Sequence, residues 1–212
     1  LVFICSTEKT TQQVKASVTP SMNPHAEKIY NLALSQLNAG EPELAYGMGS
    51  SAIKQFPDNA PLLQLTALAA FQMGQAQEAI ELCERAWEIN PQNHILAYNL
   101  ATMLLHQQNA TAARDWLHKS LELKPDYAVA HANLGSVLIA FGELEQALVH
   151  LNKSIELGDR TVDVLVNRAS AQRDLGNINQ AIQGYQEAIE LDNSSQIAHS
   201  NYLLCLNYGQ AE

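Results

Sequence analysis

Seven histidines, three cysteines and one recurring asparagine are the side chains of this 212-residue sequence whose types could do chemistry. His94, His106 and His118 stand several helical turns apart. No histidine has a second His or a Cys three or four residues away, as a metal site on one helix face requires. His131 and His199 share one place in the pattern described below, where packing is the expected role. Cys5, Cys83 and Cys205 are too few and too scattered for a disulfide framework or a zinc knuckle. The string Gly47-Met-Gly49-Ser-Ser-Ala52 matches a dinucleotide fingerprint, but it falls inside a helical segment whose amides are already used in the helical ladder. Asn109-Ala-Thr111, Asn152-Lys-Ser154 and Asn193-Ser-Ser195 are glycosylation strings without an export signal to give them weight. No nucleophile has a base beside it. The residues therefore predict no enzyme, no metal site and no cofactor.

The asparagines call for another reading. Asn31, Asn99, Asn133, Asn167 and Asn201 are spaced by one fixed step, taken twice between Asn31 and Asn99, where Leu65 stands in the vacant place. Asparagine is a poor helix former, so its recurrence in helical segments runs against propensity. Its amide offers two donors and an acceptor, which match the two polar groups of an extended peptide backbone. A ladder of such amides would hold a chain with little regard for its side chains. The competing reading is that they bond neighbouring helices or water, as relics of duplication.

The elements that position these residues follow from the same period. Ala45, Ala79, Ala113, Ala147 and Ala181 recur at that step, as do the small residues Ala33, Ala67, Ala101, Gly135 and Ala169. Ala52, Ala86, Ser120, Ser154 and Ala188 make a third column. Gly40, Gly74, Gly142 and Gly176 make a fourth, broken by Gln108, and Pro57, Pro91 and Pro125 close the first three units, with Asp159 and Asn193 in that place later. Apolar residues at three- and four-residue spacing flank each glycine, so a unit reads as two helices, the first ended by the glycine in a left-handed conformation and the second by the proline. The small columns let helix axes approach closely. Five units cover 26–59, 60–93, 94–127, 128–161 and 162–195, with a terminal helix over 196–208 and a mobile lead or tether over 1–25. Gly47 and Gly49 should each cost the second helix of the first unit about 1 kcal/mol, which predicts fraying there.

Composition agrees with helices and narrows the partners. The chain is 47% hydrophobic and 16% charged, and its formal charge of −10 has the wrong sign for a surface that neutralises phosphates, so nucleic acid is not expected. No apolar run is long enough to span a bilayer. Cytoplasm is the expected compartment; the alternative is a bacterial lipoprotein, periplasmic or outer-membrane, anchored through Cys5.

In period, small columns, turn glycine and closing proline the sequence resembles the tetratricopeptide repeat family. The resemblance implies an all-α, right-handed α-solenoid of helical hairpins that binds proteins or peptides in a concave groove lined by the first helices. It places the asparagine column in that groove, with Tyr30, Tyr98, Thr102, Ser136, Ser170 and Arg173 near it. The family's large aromatic early in the first helix is replaced by Ile29, Leu63, Ala97, His131 and Leu165. Several groove lysines or arginines, which family members that clamp acidic chaperone tails need, are missing; Arg173 alone is a candidate. The last segment, with Ser200-Asn201, Leu203-Leu204 and Leu206-Asn207-Tyr208, is similar to the junction between repeats and catalytic region in O-linked N-acetylglucosamine transferase and SPINDLY-type glycosyltransferases, which also carry an asparagine ladder. Leu203 stands where the small column requires a small residue, so the repeat register is expected to end there. Two uses stay open: the substrate-binding arm of a protein glycosyltransferase, or a free-standing scaffold for assembly or secretion. Self-association through the ends of the solenoid is a further expectation.

Overall fold

The computed structural model describes residues 23–209; Cys5 and nearly all of the expected lead lie outside the described residues. Among the described residues there are eleven α-helices and no strand. In order they are α1 Pro24–Asn38, α2 Pro42–Gln55, α3 Ala60–Gln72, α4 Ala76–Ile89, α5 His94–His106, α6 Ala110–Leu123, α7 Ala128–Ala140, α8 Leu144–Glu156, α9 Val162–Asp174, α10 Ile178–Leu191 and α11 Gln196–Gly209. The expected all-α hairpin architecture is present. The chain divides between Lys124 and Pro125 into two compact units. In the first, α1 to α6 form three hairpins, with α2 packed on α3 and α4 on α5. In the second, α7 to α10 form two, with α8 packed on α9, and α11 lies on α10 and touches α9. No described helix is long and apolar enough to cross a membrane.

The helix boundaries follow from local chemistry. Gly40, Gly74, Gly142 and Gly176 all have φ between +75 and +81°, the left-handed state in which glycine has no Cβ penalty. Gln108, which breaks the column, adopts the same conformation at φ +61° and its amide still donates to Leu105 O, so the turn survives the substitution. Asn59 and Asn93 cap the helices that follow them, their side chains accepting from the amides of Leu62 and Ile95. Asn109 caps α6 by accepting from Ala112 N–H, which gives that glycosylation string a structural role. The first helix begins at Pro24, two residues before the expected boundary, because proline suits the first helical position and Asn23 accepts from His25 N–H. In the fourth unit, where Asp159 replaces the closing proline, α8 ends instead through Gly158 at φ +93°, with Asp159 N–H on Ser154 O.

First and second helices are buried differently. α3 and α5 carry no Asp, Glu, Lys or Arg, and ten of the residues of each are buried, including neighbours on every face. α7 is equally uncharged and buried over Val129–Leu138. The second helices bury a single stripe: Ala113, Leu117 and Ser120 on α6, and Ala147, Leu151 and Ser154 on α8. Where the third small column holds serine, the hydroxyl reaches the first residue of the partner helix: Ser120 Oγ donates to His94 O and Ser154 Oγ to Ala128 O, each at 2.9 Å.

The two glycines of α2 separate into different cases. A Cβ at Gly49 would lie 2.1 Å from Thr66 Oγ1, whereas one at Gly47 would meet nothing within 4 Å. Gly49 is required by the approach of α3; Gly47 is not required by any described neighbour. Gly49→Ala should therefore destabilise the protein by about 1–3 kcal/mol through overpacking, and Gly47→Ala should stabilise it by roughly 0.5–1 kcal/mol. Urea denaturation of the two variants checks the opposite signs. Gln108→Gly should raise stability by about 0.5–1 kcal/mol, since it removes a left-handed non-glycine residue, and a melting curve that moves down instead would refute the assignment of that turn.

Candidate functional site

The sequence-predicted site residues are dispersed in burial. Asn31 is exposed and Asn201 half-buried, while Asn99, Asn133 and Asn167 are at most 5% exposed. Tyr30 and Tyr98 are buried at 1%. Each of these side chains stands on the first helix of its hairpin except Asn201, which stands on the terminal helix α11. Asn31 and Asn99 belong to the first unit; Asn133, Asn167 and Asn201 belong to the second.

Most of the polar groups near the column are already engaged within the protein. Thr102 Oγ1 donates to Tyr98 O and Ser136 Oγ to Ala132 O, both at 3.0 Å, so these hydroxyls are spent on their own helix. Asn167 Nδ2 donates to Ser136 Oγ at 2.8 Å, which joins α7 to α9. Ser170 Oγ and Tyr185 OH are 2.9 Å apart, and burial pushes the Tyr185 phenol above its ordinary range. The Arg173 guanidinium is held by Asp174 Oδ1 at 2.8 Å, which keeps its charge partly neutralised.

Asn99 differs from all of these. It is 1% exposed, and neither its Nδ2 nor its Oδ1 has a hydrogen-bond partner. Leaving a buried polar group unpaired costs on the order of 1–3 kcal/mol, so this amide is a liability to the fold alone. Gln64, on α3, shares the property at one atom: it is 1% exposed and its Nε2 is buried without a partner. Sequence reasoning passed over Gln64 because its column in the repeat reads Tyr30, Gln64, Tyr98, Ala132 and Val166, with no constancy of type. The available signal was a single amide in the middle of an otherwise apolar, uncharged helix.

Two of the histidines take part in local structure. His131 Nε2 lies 2.9 Å from Pro125 O and His199 Nε2 lies 3.0 Å from Asn193 O, each six residues back, so both histidines bond a carbonyl of the loop leading into their helix. A carbonyl only accepts, so His131 Nε2 donates to Pro125 O, and its Nδ1 lies 2.9 Å from His150 Nδ1, where one ring donates to the other. Burial raises the thiols of Cys83 and Cys205 above their ordinary range, so neither is a thiolate at neutral pH. No group of three or more potential metal ligands occurs among the described residues.

This geometry of uncharged first helices in the three inner hairpins, amphipathic second helices and short glycine turns defines a helical-repeat protein. Tetratricopeptide repeat models match residues 36–104, 70–122, 128–153 and 162–195, most of the chain, and the chain belongs to that family. No curated protein matches its sequence. Among solved structures it is similar to TTC0263, a thermophilic tetratricopeptide repeat protein of Thermus thermophilus, with 20% identity over 86% of this chain and 99% of that one and a TM-score of 0.64. It is also similar to YrrB, described as having an unusual peptide-binding site, with 20% identity, 92% and 98% coverage and a TM-score of 0.69. MamA of Desulfovibrio magneticus RS-1 matches at 18% identity, 83% and 99% coverage and a TM-score of 0.72. These likenesses establish the fold.

The Asn167–Ser136 bond is open to a double-mutant cycle. Asn167→Ala and Ser136→Ala should each lower stability, and the cycle should return a coupling of about 0.5–1.5 kcal/mol in urea denaturation. A coupling near zero would remove this pair from the account of the second unit.

Proposed function

We propose that the chain is a protein-interaction scaffold that holds an extended polypeptide against the first helices of its hairpins, with Asn99 bonding the main chain of the bound segment. The observation that carries this reading is the unpaired Asn99 amide: a buried donor and acceptor on one side chain, costly to the free protein and matched by the N–H and C=O of a peptide unit. The amide is covered at rest, so binding includes displacement of the side chains over it. The uncharged helices α3 and α5 favour a segment without charged groups at the point of contact, because a charge buried there would find no partner. The peptide-binding site in the description of YrrB, a protein of the same fold, supports the reading.

Of the two uses that the sequence left open we adopt the scaffold. Three repeat proteins of like fold, TTC0263, YrrB and the Desulfovibrio MamA, are covered over 98–99% of their chains by this one, which supports the scaffold reading. The arm of a glycosyltransferase rests on the short segment Ser200–Tyr208 and the asparagine column, and no site geometry adds to it.

The test is a comparison of Asn99→Ala with the wild type, using peptides selected on the wild type from a random phage-displayed library. Loss of the paired amide should weaken binding by about 1–3 kcal/mol, while the melting temperature rises, because alanine is the better helix former and leaves no unpaired group. Asn167→Ala should do the reverse to stability, since its amide is engaged by Ser136. Unchanged peptide binding in Asn99→Ala together with a lowered melting temperature would make the asparagine structural and end the proposal.

A further inference from the structure

Two repeats before Ala132, Ser136 and Asn167, the same three places hold Gln64, Leu68 and Asn99. The later trio is closed on itself: Ser136 Oγ donates to Ala132 O and accepts from Asn167 Nδ2. The earlier trio cannot close in this way, because Leu68 has no hydroxyl. Its loss accounts for the unpaired Asn99 amide. Gln64 then adds a second buried donor without a partner, Nε2, in a place where the later trio has only the methyl of Ala132.

Helix geometry and the repeat set both amides beside Leu68. Gln64 precedes Leu68 by four residues, so the two side chains are neighbours on one face of α3. Asn99 on α5 follows Leu68 by the same 31 residues that separate Asn167 from Ser136, so the repeat turns it toward Leu68 as Asn167 is turned toward Ser136. All three residues are at most 5% exposed and all belong to the first unit. The unpaired atoms are two donors, Asn99 Nδ2 and Gln64 Nε2, and one acceptor, Asn99 Oδ1. An extended main chain offers their complement along one edge. There the N–H and C=O of one residue point the same way, and the next C=O on that edge belongs to the second residue along.

We infer that Gln64, Leu68 and Asn99 form one subsite that reads the edge of an extended polypeptide: Asn99 bonds the N–H and C=O of one residue, and Gln64 donates to a further C=O on the same edge. Leu68 is the apolar floor between them. The inference rests on the reading of Asn99 given above and makes Gln64 a specificity residue. A segment already folded as a helix has its main-chain groups spent internally and is not a ligand. Proline is excluded at the residue held by Asn99, because it has no N–H to give to Oδ1.

The test uses one peptide selected on the full chain from the phage library, synthesised with each amide in turn replaced by an ester. An ester removes one N–H and weakens the preceding carbonyl as an acceptor. Gln64→Met keeps the length of the side chain and removes its amide, so it should weaken binding of the parent peptide by roughly two- to tenfold and raise the melting temperature. On the wild type, two separate ester positions should be costly, one through the N–H that Asn99 takes and one through the carbonyl that Gln64 takes. The two peptide residues concerned should stand an even number of places apart. The first loss should vanish in Asn99→Ala and the second in Gln64→Met. Unchanged affinity in Gln64→Met beside weakened binding in Asn99→Ala would overturn this inference and leave the Asn99 reading standing. The same ester losses on Gln64→Met as on the wild type, or a lowered melting temperature of that variant, would overturn it as well. Unchanged affinity in Asn99→Ala, or a library that yields no binder, would end both.

Discussion

Everything in this structure depends on how closely neighbouring helices can approach. Small residues set that distance: an added carbon at Gly49 would lie 2.1 Å from Thr66 Oγ1 of the next hairpin, and one at Gly135 would lie 2.6 Å from Leu151 Cγ of its own hairpin. Interiors packed at crystal-like density have no slack for such an atom. Once the axes are close, the first helix of an inner hairpin is enclosed on nearly every side, and its composition must follow. That enclosure is why α3, α5 and α7 have lost all charged residues while α4, α6 and α8 retain them.

The same enclosure makes amides on the first helices expensive. The protein meets that cost in two ways. Asn167 is paired with Ser136 and contributes to the contact between α7 and α9. Asn99 is left unpaired, and Gln64 partly so. Residues of one type, at one place in the repeat, thus divide between a structural use and an unfilled hydrogen-bonding capacity, and only the second is an argument for a ligand.

Much of the fold was legible in the sequence because its determinants are periodic. The left-handed glycines, the small columns and the hairpin boundaries recur once per repeat, and the structure places them as the period requires. What was not legible depends on contacts between helices rather than on the type of one residue. Gln108 looked like a defect in the glycine column, yet backbone hydrogen bonds close its turn in the same way. Gly47 and Gly49 looked alike as helix breakers, and only the neighbouring Thr66 tells them apart. In the candidate site, the asparagine column was visible, but its division into exposed, paired and unpaired members was not. Gln64 escaped notice because a single occurrence carries no periodic signal.

The serine hydroxyls of the third and fourth hairpins have a mechanical consequence. Ser120 and Ser154 tie the last turn of a second helix to the opening residue of its partner, across the free end of the hairpin, whereas Ala52, Ala86 and Ala188 leave the other three without such a clasp. A hairpin under tension peels from its free end, where the clasp has to break before the helices can separate. Pulled from its termini, a chain arranged in this way gives way first in its outer hairpins and holds longest in the middle pair. Its resistance to force is graded along the sequence even though the repeat length is not.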